Sequence, residues 1–251
     1  MNRLPLVVGV GLATADLTQV VDHLPSSDQK IWAHSASLDF GGPAANAVAA
    51  AVACGCRGRL IAPVGRLGFG PLITQSLEHS GIELIDLAAR DYAPPISSVL
   101  VTAATGQRAV VSTNARWAAT KLPVTEGMLT GAAALIVDGH LMGHQHAAAR
   151  LARRLGIPVV QDAGSWKPGG VPYLTSLSDL VVASADFTVP ELGSDATGQA
   201  VLDWLAGRGA GWVARSQGAG PIQVRWSSGE IAELPVEPVS KVVDTLGAGD
   251  A

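Results

Sequence analysis

The sequence has very little cysteine, and this excludes two classes of small protein. Its only cysteines, Cys54 and Cys56, are separated by a single glycine. Two cysteines this close cannot build a disulfide framework, and a C-x-C pair without further thiols is a poor zinc signature. We interpret the pair as two small residues at the end of a helix, in a protein of a reducing compartment.

Charge and long apolar runs are also scarce. Only 15% of the residues are charged, and the formal net charge is −4. Nucleic-acid-binding proteins usually present a basic face, so we expect no nucleic-acid partner. No apolar run reaches the roughly 18 residues of a membrane span, and no signal-peptide pattern is found at the N-terminus. We therefore expect a soluble, cytoplasmic protein with no membrane partner.

Two common nucleotide-binding motifs are missing. The phosphate-binding pattern G-x-x-x-x-G-K-[ST] occurs nowhere, which disfavours a P-loop kinase. Gly9-Val10-Gly11 begins like the G-x-G-x-x-G motif of dinucleotide-binding proteins, but position 14 is Thr and no acidic residue follows at the expected distance. These departures disfavour a nicotinamide-dependent oxidoreductase.

Short apolar runs alternate with stretches of helical period, and 48% of the residues are hydrophobic. This alternation is typical of βα units around a mostly parallel sheet. It predicts buried strands at Leu6–Gly11, Arg59–Val64, Leu135–Asp138, Pro158–Gln161, Asp179–Ala183 and Trp212–Arg215. It predicts helices at Ala44–Cys54, Pro71–Ser80, His144–Leu155 and Thr197–Arg208. Glycines 55, 81 and 156 stand where helix C-termini prefer them.

Two regions depart from this rhythm. Ile96–Thr102 and Arg108–Thr113 flank a turn at Ala104–Gln107, which predicts a β-hairpin. Lys30–Phe40 alternates loosely, and we predict another exposed strand there. Together these pieces would form a small sheet able to cover a polar substrate and exclude water. A second hairpin is predicted near the C-terminus from Ile222–Trp226 and Ile231–Leu234.

The segment richest in chemical possibilities is the last one, Asp244-Thr245-Leu246-Gly247-Ala248-Gly249-Asp250-Ala251. Backbone N–H groups at a glycine-rich helix start can cradle an anion. An aspartate directly after the cradle could accept a proton from a substrate hydroxyl during phosphoryl transfer. An ordinary tight turn explains the same letters, so the segment alone leaves both interpretations open.

A second segment, Phe40-Gly41-Gly42-Pro43-Ala44-Ala45-Asn46, opens an alanine-rich helix. Its small residues permit a close approach, either of a ligand or of another helix. On its own, packing is the favoured explanation.

Taken together, the two segments resemble the signatures of the ribokinase/PfkB kinases, G-G-x-x-x-N near the N-terminus and D-T-x-G-A-G-D near the C-terminus. Their order and separation match as well. In motif the chain is most similar to the ketohexokinase and sulfofructose kinase branch. The resemblance implies an α/β, ribokinase-like three-layer sandwich with a mostly parallel central sheet and a small projecting β lid. It implies one domain over residues 1–251, with lid strands near 14–40 and 96–113, that lacks the C-terminal part of the family domain.

The resemblance also implies the activity, which is ATP-dependent phosphorylation of a hydroxyl group on a sugar, with Mg²⁺. Asp250 would be the catalytic base, and the amides of Gly247, Ala248 and Gly249 would form the anion hole. Substrate-binding residues would be Asp16, Gly41, Gly42 and Asn46, with His140 added because it follows a probable parallel strand. Nucleotide-binding residues would be Ser184, Arg215, Gln217, Gly220 and Thr245. A homodimer formed through the lid strands is expected.

The sequence departs from the family pattern in ways that keep alternatives open. Ser184-Ala185-Asp186-Phe187 stands where many relatives carry N-x-x-E, so no metal ligand is assigned. Gln217 replaces the first glycine of the nucleotide loop, and the chain ends just after Asp250. A non-catalytic, ligand-binding descendant or an inactive fragment of such a kinase is therefore the alternative, and a nucleoside kinase is less favoured. Three histidines at 140, 144 and 146 have no nearby carboxylate in sequence, which disfavours a metal cluster and favours structural or solvated roles.

Overall fold

The computed structural model describes residues 4–114, 120–167, 169–237 and 249. Its strands are β1 Leu6–Val10, β2 Thr14–Val21, β3 Ser35–Gly41, β4 Arg57–Ala62, β5 Ile82–Asp86, β6 Ile96–Thr102, β7 Arg108–Ser112, β8 Ala132–Val137, β9 Val159–Ala163, β10 Leu180–Ala183, β11 Trp212–Gln217, β12 Gly220–Arg225 and β13 Ile231–Leu234. Its helices are α1 Pro43–Ala53, α2 Gly70–His79, α3 Glu126–Leu129, α4 Met142–Leu155, α5 Val171–Ser176 and α6 Gly198–Gly207, and a 3₁₀ turn spans Pro190–Leu192.

The strands form two sheets. The main sheet has nine strands in the order β13-β12-β11-β10-β9-β8-β1-β4-β5. Its strands from β11 to β5 are parallel, while β12 and β13 extend it as an antiparallel hairpin. The order reverses at β1, because the chain goes from β1 through α1 to β4 on one side and later adds β8 on the other.

Helices cover both faces of the main sheet. Neighbouring residues of β4 show this, since successive side chains of a strand point to opposite faces. Leu60 packs in a cluster with Val48 of α1 and Leu77 of α2. Ile61 packs in a different cluster with Ala149 of α4. The architecture is thus the expected three-layer α/β sandwich.

The small sheet has four strands in the order β3-β2-β6-β7. Its central pair, β2 and β6, is parallel, and both outer pairs are antiparallel. One side of β6 is buried, with Val99 fully covered, whereas Val111 of β7 is 77% exposed. The small sheet therefore packs on the rest of the molecule through one face only.

Most predicted elements are confirmed, with shifts of a few residues at their ends. The predicted strand Lys30–Phe40 begins only at Ser35, and Trp32, which broke the alternation, lies outside it. The strands Thr14–Val21 and Ile82–Asp86 were not predicted individually; β2 has no clean alternation because most of its side chains are half-buried. The strand Ile96–Thr102 does not expose a sheet edge, since β6 lies between β2 and β7.

Glycines 55, 81 and 156 have φ values of 88°, 73° and 70° after their helices, which confirms them as helix-terminating residues. Over the ranges that the structure covers, no helix is long and apolar enough to cross a membrane.

Candidate functional site

A cavity of about 330 Å³ lies at the carboxyl ends of the main-sheet strands, beneath the small sheet. We name it the central cavity. It lies where the strand order reverses at β1, which is the usual position of ligand sites in open α/β sheets. The main sheet contributes Leu12, Asp162, Gly164, Ser184 and Asp186 to its lining. Helix α1 contributes its first turns, through Gly42, Pro43 and Asn46.

The small sheet forms the other wall of the central cavity. Strand β7 contributes every second residue, Arg108, Val110 and Ser112, as expected of one face of a strand. Ser97 of β6 pairs with Ser112 across the two strands, and their hydroxyl oxygens are 3.1 Å apart. A charged and hydroxyl-rich surface therefore faces the ends of the main-sheet strands.

Asp16 of β2 lies at the junction of two cavities. It lines the central cavity and, with Asn46, also a second cavity of about 320 Å³ on the side of β3. The hydroxyl of Thr14 donates a 2.5 Å hydrogen bond to Asp16 Oδ1. The carboxylate packs directly on Gly41, where a Cβ atom would collide with it. Gly41 is therefore required for the position of Asp16, and it lines the second cavity.

Gly42 precedes helix α1 in a conformation that favours glycine, with φ 102°. A Cβ there would also collide with the backbone carbonyl of Leu12. The Gly-Gly pair thus allows the helix start to approach β1 and β2 closely. The glycines pack closely, although against Asp16 and Leu12 rather than against another helix. They also border the two cavities, and the approach of a ligand to them stays a prediction.

Asp138, which follows β8, is buried beneath the central cavity and accepts four hydrogen bonds. The backbone N–H groups of Leu12, Ala44 and His140 donate to it over 2.9, 3.1 and 2.9 Å. The side-chain amide of Gln145 donates over 2.6 Å. Burial alone would raise the pKa of this carboxyl group, but the neighbouring imidazole of His140 and the backbone N–H groups of Leu12 and His140 lower it to about 2. Asp138 is therefore ionised near neutral pH.

His140 lies against this carboxylate. Its ring is 11% exposed, and its Nδ1 is 3.3 Å from Asp138 Oδ1, without the alignment of a hydrogen bond. His140 is not among the described residues that line the central cavity. Its role in substrate binding stays a prediction. His146 packs edge-on against Tyr173, which fits the structural role expected of it.

The predicted nucleotide-binding residues are partly brought together. Ser184 lines the central cavity and donates to the Gly164 carbonyl. Arg215 donates a 2.6 Å hydrogen bond to the carbonyl of Ala185 and so braces the same stretch. Arg215 and Gln217 belong to β11, and Gly220 begins β12, so the predicted loop is only the turn between these strands.

Four predicted residues, Thr245, Gly247, Ala248 and Asp250, lie outside the described part of the chain. Gly249 is described, and it lines the central cavity. Gly249, the described residue of the C-terminal signature segment, therefore lines the same cavity as the start of α1.

The sequence left several lining residues unassigned. Asp162 and Arg108 are among them. Asp138, which lies below the cavity and does not line it, was also not assigned. The end of a parallel strand is the signal that could have identified Asp138 and Asp162. Within the described ranges no group of three His, Cys, Asp or Glu side chains is arranged to hold a metal. Asp162, Ser184 and Asp186 offer oxygen atoms, which suit Mg²⁺ carried in with phosphate groups.

Known structures share this fold. The chain is 23% identical to a proposed ribokinase from Agrobacterium tumefaciens, with a TM-score of 0.85, covering 99% of this chain and 81% of that one. It is 20% identical to a microbiome-derived acarbose kinase, Mak1, with a TM-score of 0.78 and coverage of 99% and 83%. It is 20% identical to Arabidopsis thaliana ribokinase, solved with ribose and ATP, with a TM-score of 0.72 and coverage of 99% and 83%. At these identities the likeness shows the fold.

The family of the protein is shown by comparing its sequence with models of protein families. The comparison with curated proteins gave no significant match. The model of the pfkB family carbohydrate kinases matches residues 4–251, which is nearly the whole chain. The protein belongs to the pfkB family of carbohydrate kinases.

Proposed function

We propose that the protein transfers the γ-phosphate of ATP to a hydroxyl group of a sugar or sugar-like small molecule bound in the central cavity. One observation carries the proposal: in a member of this kinase family, Asp16, Asn46 and Gly249 line the same cavity. The first two are suited to bind hydroxyl groups, and the third belongs to the G-A-G-D segment suited to bind phosphate.

The lining favours a small polyhydroxylated acceptor over a nucleoside. None of the described lining residues is aromatic, so this part of the cavity offers no ring on which a base could stack. Asp16 accepts hydrogen bonds from hydroxyl groups, and Asn46 can donate as well as accept. Gly41 and Gly42 act by placing these two residues. The likeness of the motifs to the ketohexokinase branch places ketoses first among the acceptors.

Asp250 takes the proton of the accepting hydroxyl in this proposal. It follows Gly249 directly in sequence, and general-base assistance of this kind contributes about 10²–10⁴-fold in rate. The amides of Gly247, Ala248 and Gly249 stabilise charge on the transferring phosphoryl group; removing one such donor costs roughly 10²–10³-fold in other enzymes.

The nucleotide lies along the ends of β10 and β11 in this proposal. Ser184, Arg215, Gln217, Gly220 and Thr245 support it there. Mg²⁺ bound to the phosphates neutralises their charge, and Asp162 and Asp186 are the carboxylates that hold it from the protein side, directly or through water.

The small sheet closes over the sugar as a lid and pairs with a second copy of the chain. Its edges are β3 and β7, and Val110 and Val111 of β7 are 46% and 77% exposed. An exposed edge with apolar side chains invites pairing. Sedimentation should show a dimer for the unaltered protein and a monomer for Val111→Lys; a monomer in both cases would contradict the pairing.

The experiment that tests the activity is ADP release from Mg·ATP by the purified protein, over ketoses, aldoses and nucleosides. Turnover that depends on one sugar is the expected result. Nucleoside-dependent turnover would overturn the choice of acceptor. Folded protein that binds a sugar but releases no ADP would support the ligand-binding alternative instead.

A further inference from the structure

Helix α1 carries Asn46 but has no N-terminal cap of its own. The residue before it is Gly42, which has no side chain, and its first residue is Pro43, which has no N–H group. The free N–H groups of a helix start need acceptors. Asp138, 94 residues away in sequence, supplies one by accepting from Ala44 N. Its negative charge is also favourable at this end of the helix.

The same carboxylate oxygen holds the segment that leads to Asp16. Asp138 Oδ2 accepts from Leu12 N over 2.9 Å as well as from Ala44 N over 3.1 Å. Leu12 lies two residues after the end of β1 and two residues before Thr14, whose hydroxyl binds Asp16. One oxygen atom therefore joins the two segments that bring Asp16 and Asn46 to the central cavity.

The other oxygen of Asp138 is fixed from beneath. Oδ1 accepts from the backbone N–H of His140 and from the amide of Gln145, whose nitrogen also donates to the Val10 carbonyl over 2.7 Å. Gln145 is fully buried, and the side chain of Asp138 has no exposed surface. Asp138 cannot touch a substrate, so any effect on the reaction passes through the segments that it holds.

We propose that Asp138 is a positioning residue for sugar phosphorylation, and that it sets the distance between Asp16 and Asn46. The inference rests on the proposed function. Substrate positioning is sensitive to small displacements, since a shift of about 1 Å can cost 10²-fold in rate. A purely structural capping role is the competing explanation, and it predicts lower stability without a selective effect on the sugar.

Two variants disturb this contact in different ways. Asp138→Asn keeps the shape but removes the charge and one acceptor oxygen. Gly11→Ala keeps the aspartate side chain unchanged. The added Cβ would lie 2.6 Å from Asp138 Oδ1 and would displace the carboxylate. Asp86→Asn is the matched control. Asp86 is the last residue of β5, and it accepts hydrogen bonds from three backbone N–H groups, those of Val64, Gly65 and Ala88. None of these three residues is among the described residues that line the central cavity.

The test measures kcat and the two KM values of all three variants, together with their melting temperatures. We expect Asp138→Asn and Gly11→Ala to lower kcat/KM for the sugar by about 10–100-fold, with KM for ATP changed less than threefold. Asp86→Asn should melt earlier but keep both KM values.

Three results would overturn the inference: equal losses for sugar and ATP, unchanged kinetics in both variants, or the same selective loss in Asp86→Asn. If Asp138→Asn does not fold, the comparison of Gly11→Ala with Asp86→Asn decides alone.

Lack of sugar-dependent turnover in the unaltered protein would contradict the proposed function instead. In that case calorimetry would measure sugar binding in place of KM. Loss of sugar binding in Asp138→Asn and Gly11→Ala, but not in Asp86→Asn, would still support Asp138 as a positioning residue.

Discussion

The two sheets contribute opposite walls of the central cavity, and they differ in how firmly they are packed. The main sheet is covered on both faces, with Val8 and Leu60 completely buried. The small sheet is covered on one face only, and its edge strand β7 exposes most of Val111. Regions with fewer buried contacts open more easily. We therefore expect the main sheet to stay fixed during the proposed reaction and the small sheet to be the part that moves.

The largest expected effect concerns the proposed phosphoryl transfer step. Asp250→Asn should lower kcat by about 10²–10⁴-fold, because the amide has nearly the same shape but cannot take the proton. Sugar binding should persist, since Asp16 and Asn46 are unchanged. Steady-state kinetics with calorimetry on the same preparation checks both points. Undiminished turnover would rule out Asp250 as the base.

The second prediction tests the difference in packing directly. Leu60→Ala in the main sheet should lower the free energy of unfolding by about 2–5 kcal/mol, because it leaves a cavity in a buried cluster. Val111→Ala in the small sheet, measured at a protein concentration at which the chain is monomeric, should change it by no more than about 0.5 kcal/mol. Denaturant titration of both variants makes the comparison, and similar losses would contradict the difference between the sheets.

The third prediction concerns the small sheet as a substrate-binding wall. Asp16→Asn should raise KM for the sugar by about 10–100-fold, because hydrogen bonds to a charged group contribute about 1.5–3 kcal/mol. Asp39→Asn is the control: Asp39 lies opposite Asp16 in the strand register and lines only the second cavity. An equal effect of the two substitutions would place the sugar in the second cavity.

The fourth and smallest effect is a pH dependence of the stability, caused by Asp138 at the end of β8 in the main sheet. The pKa of Asp138 falls from the ordinary 3.8 to about 2 in the folded protein. Its contribution of about 2 kcal/mol is therefore complete above pH 4 and is lost as the pH falls toward 2. His140 and Lys167 are the titratable groups beside it. Urea unfolding between pH 5 and 2 should show a shallower loss for Asp138→Asn; parallel curves would contradict this assignment.

The same contrast explains what the sequence could predict. The inner strands of the main sheet, such as β1 and β4, are short apolar runs because both of their faces are buried, and every predicted strand of this sheet is confirmed. The edge strand β5, whose side chains are mostly half-buried, was not predicted. Strand β2 escaped notice because the small sheet is covered on one side and its side chains are mostly half-buried. The glycine-rich segments identified the family, since their chemistry is local.

The role of Asp138 could not be predicted in this way. Its partners Leu12 and Ala44 are 126 and 94 residues away in sequence, so only the folded chain brings them together. Likewise, Arg108 faces the central cavity because of the register of β7 with β6, which no local pattern reveals.

The proposed function is tested most directly by a crystal structure of the protein with the sugar found in the ADP-release panel and a non-hydrolysable ATP analogue. We expect the sugar in the central cavity, with its hydroxyl groups hydrogen-bonded to Asp16 and Asn46 and one hydroxyl facing the γ-phosphate beside Gly249. A sugar bound in the second cavity, or a nucleotide whose γ-phosphate lies away from Gly249, would contradict it.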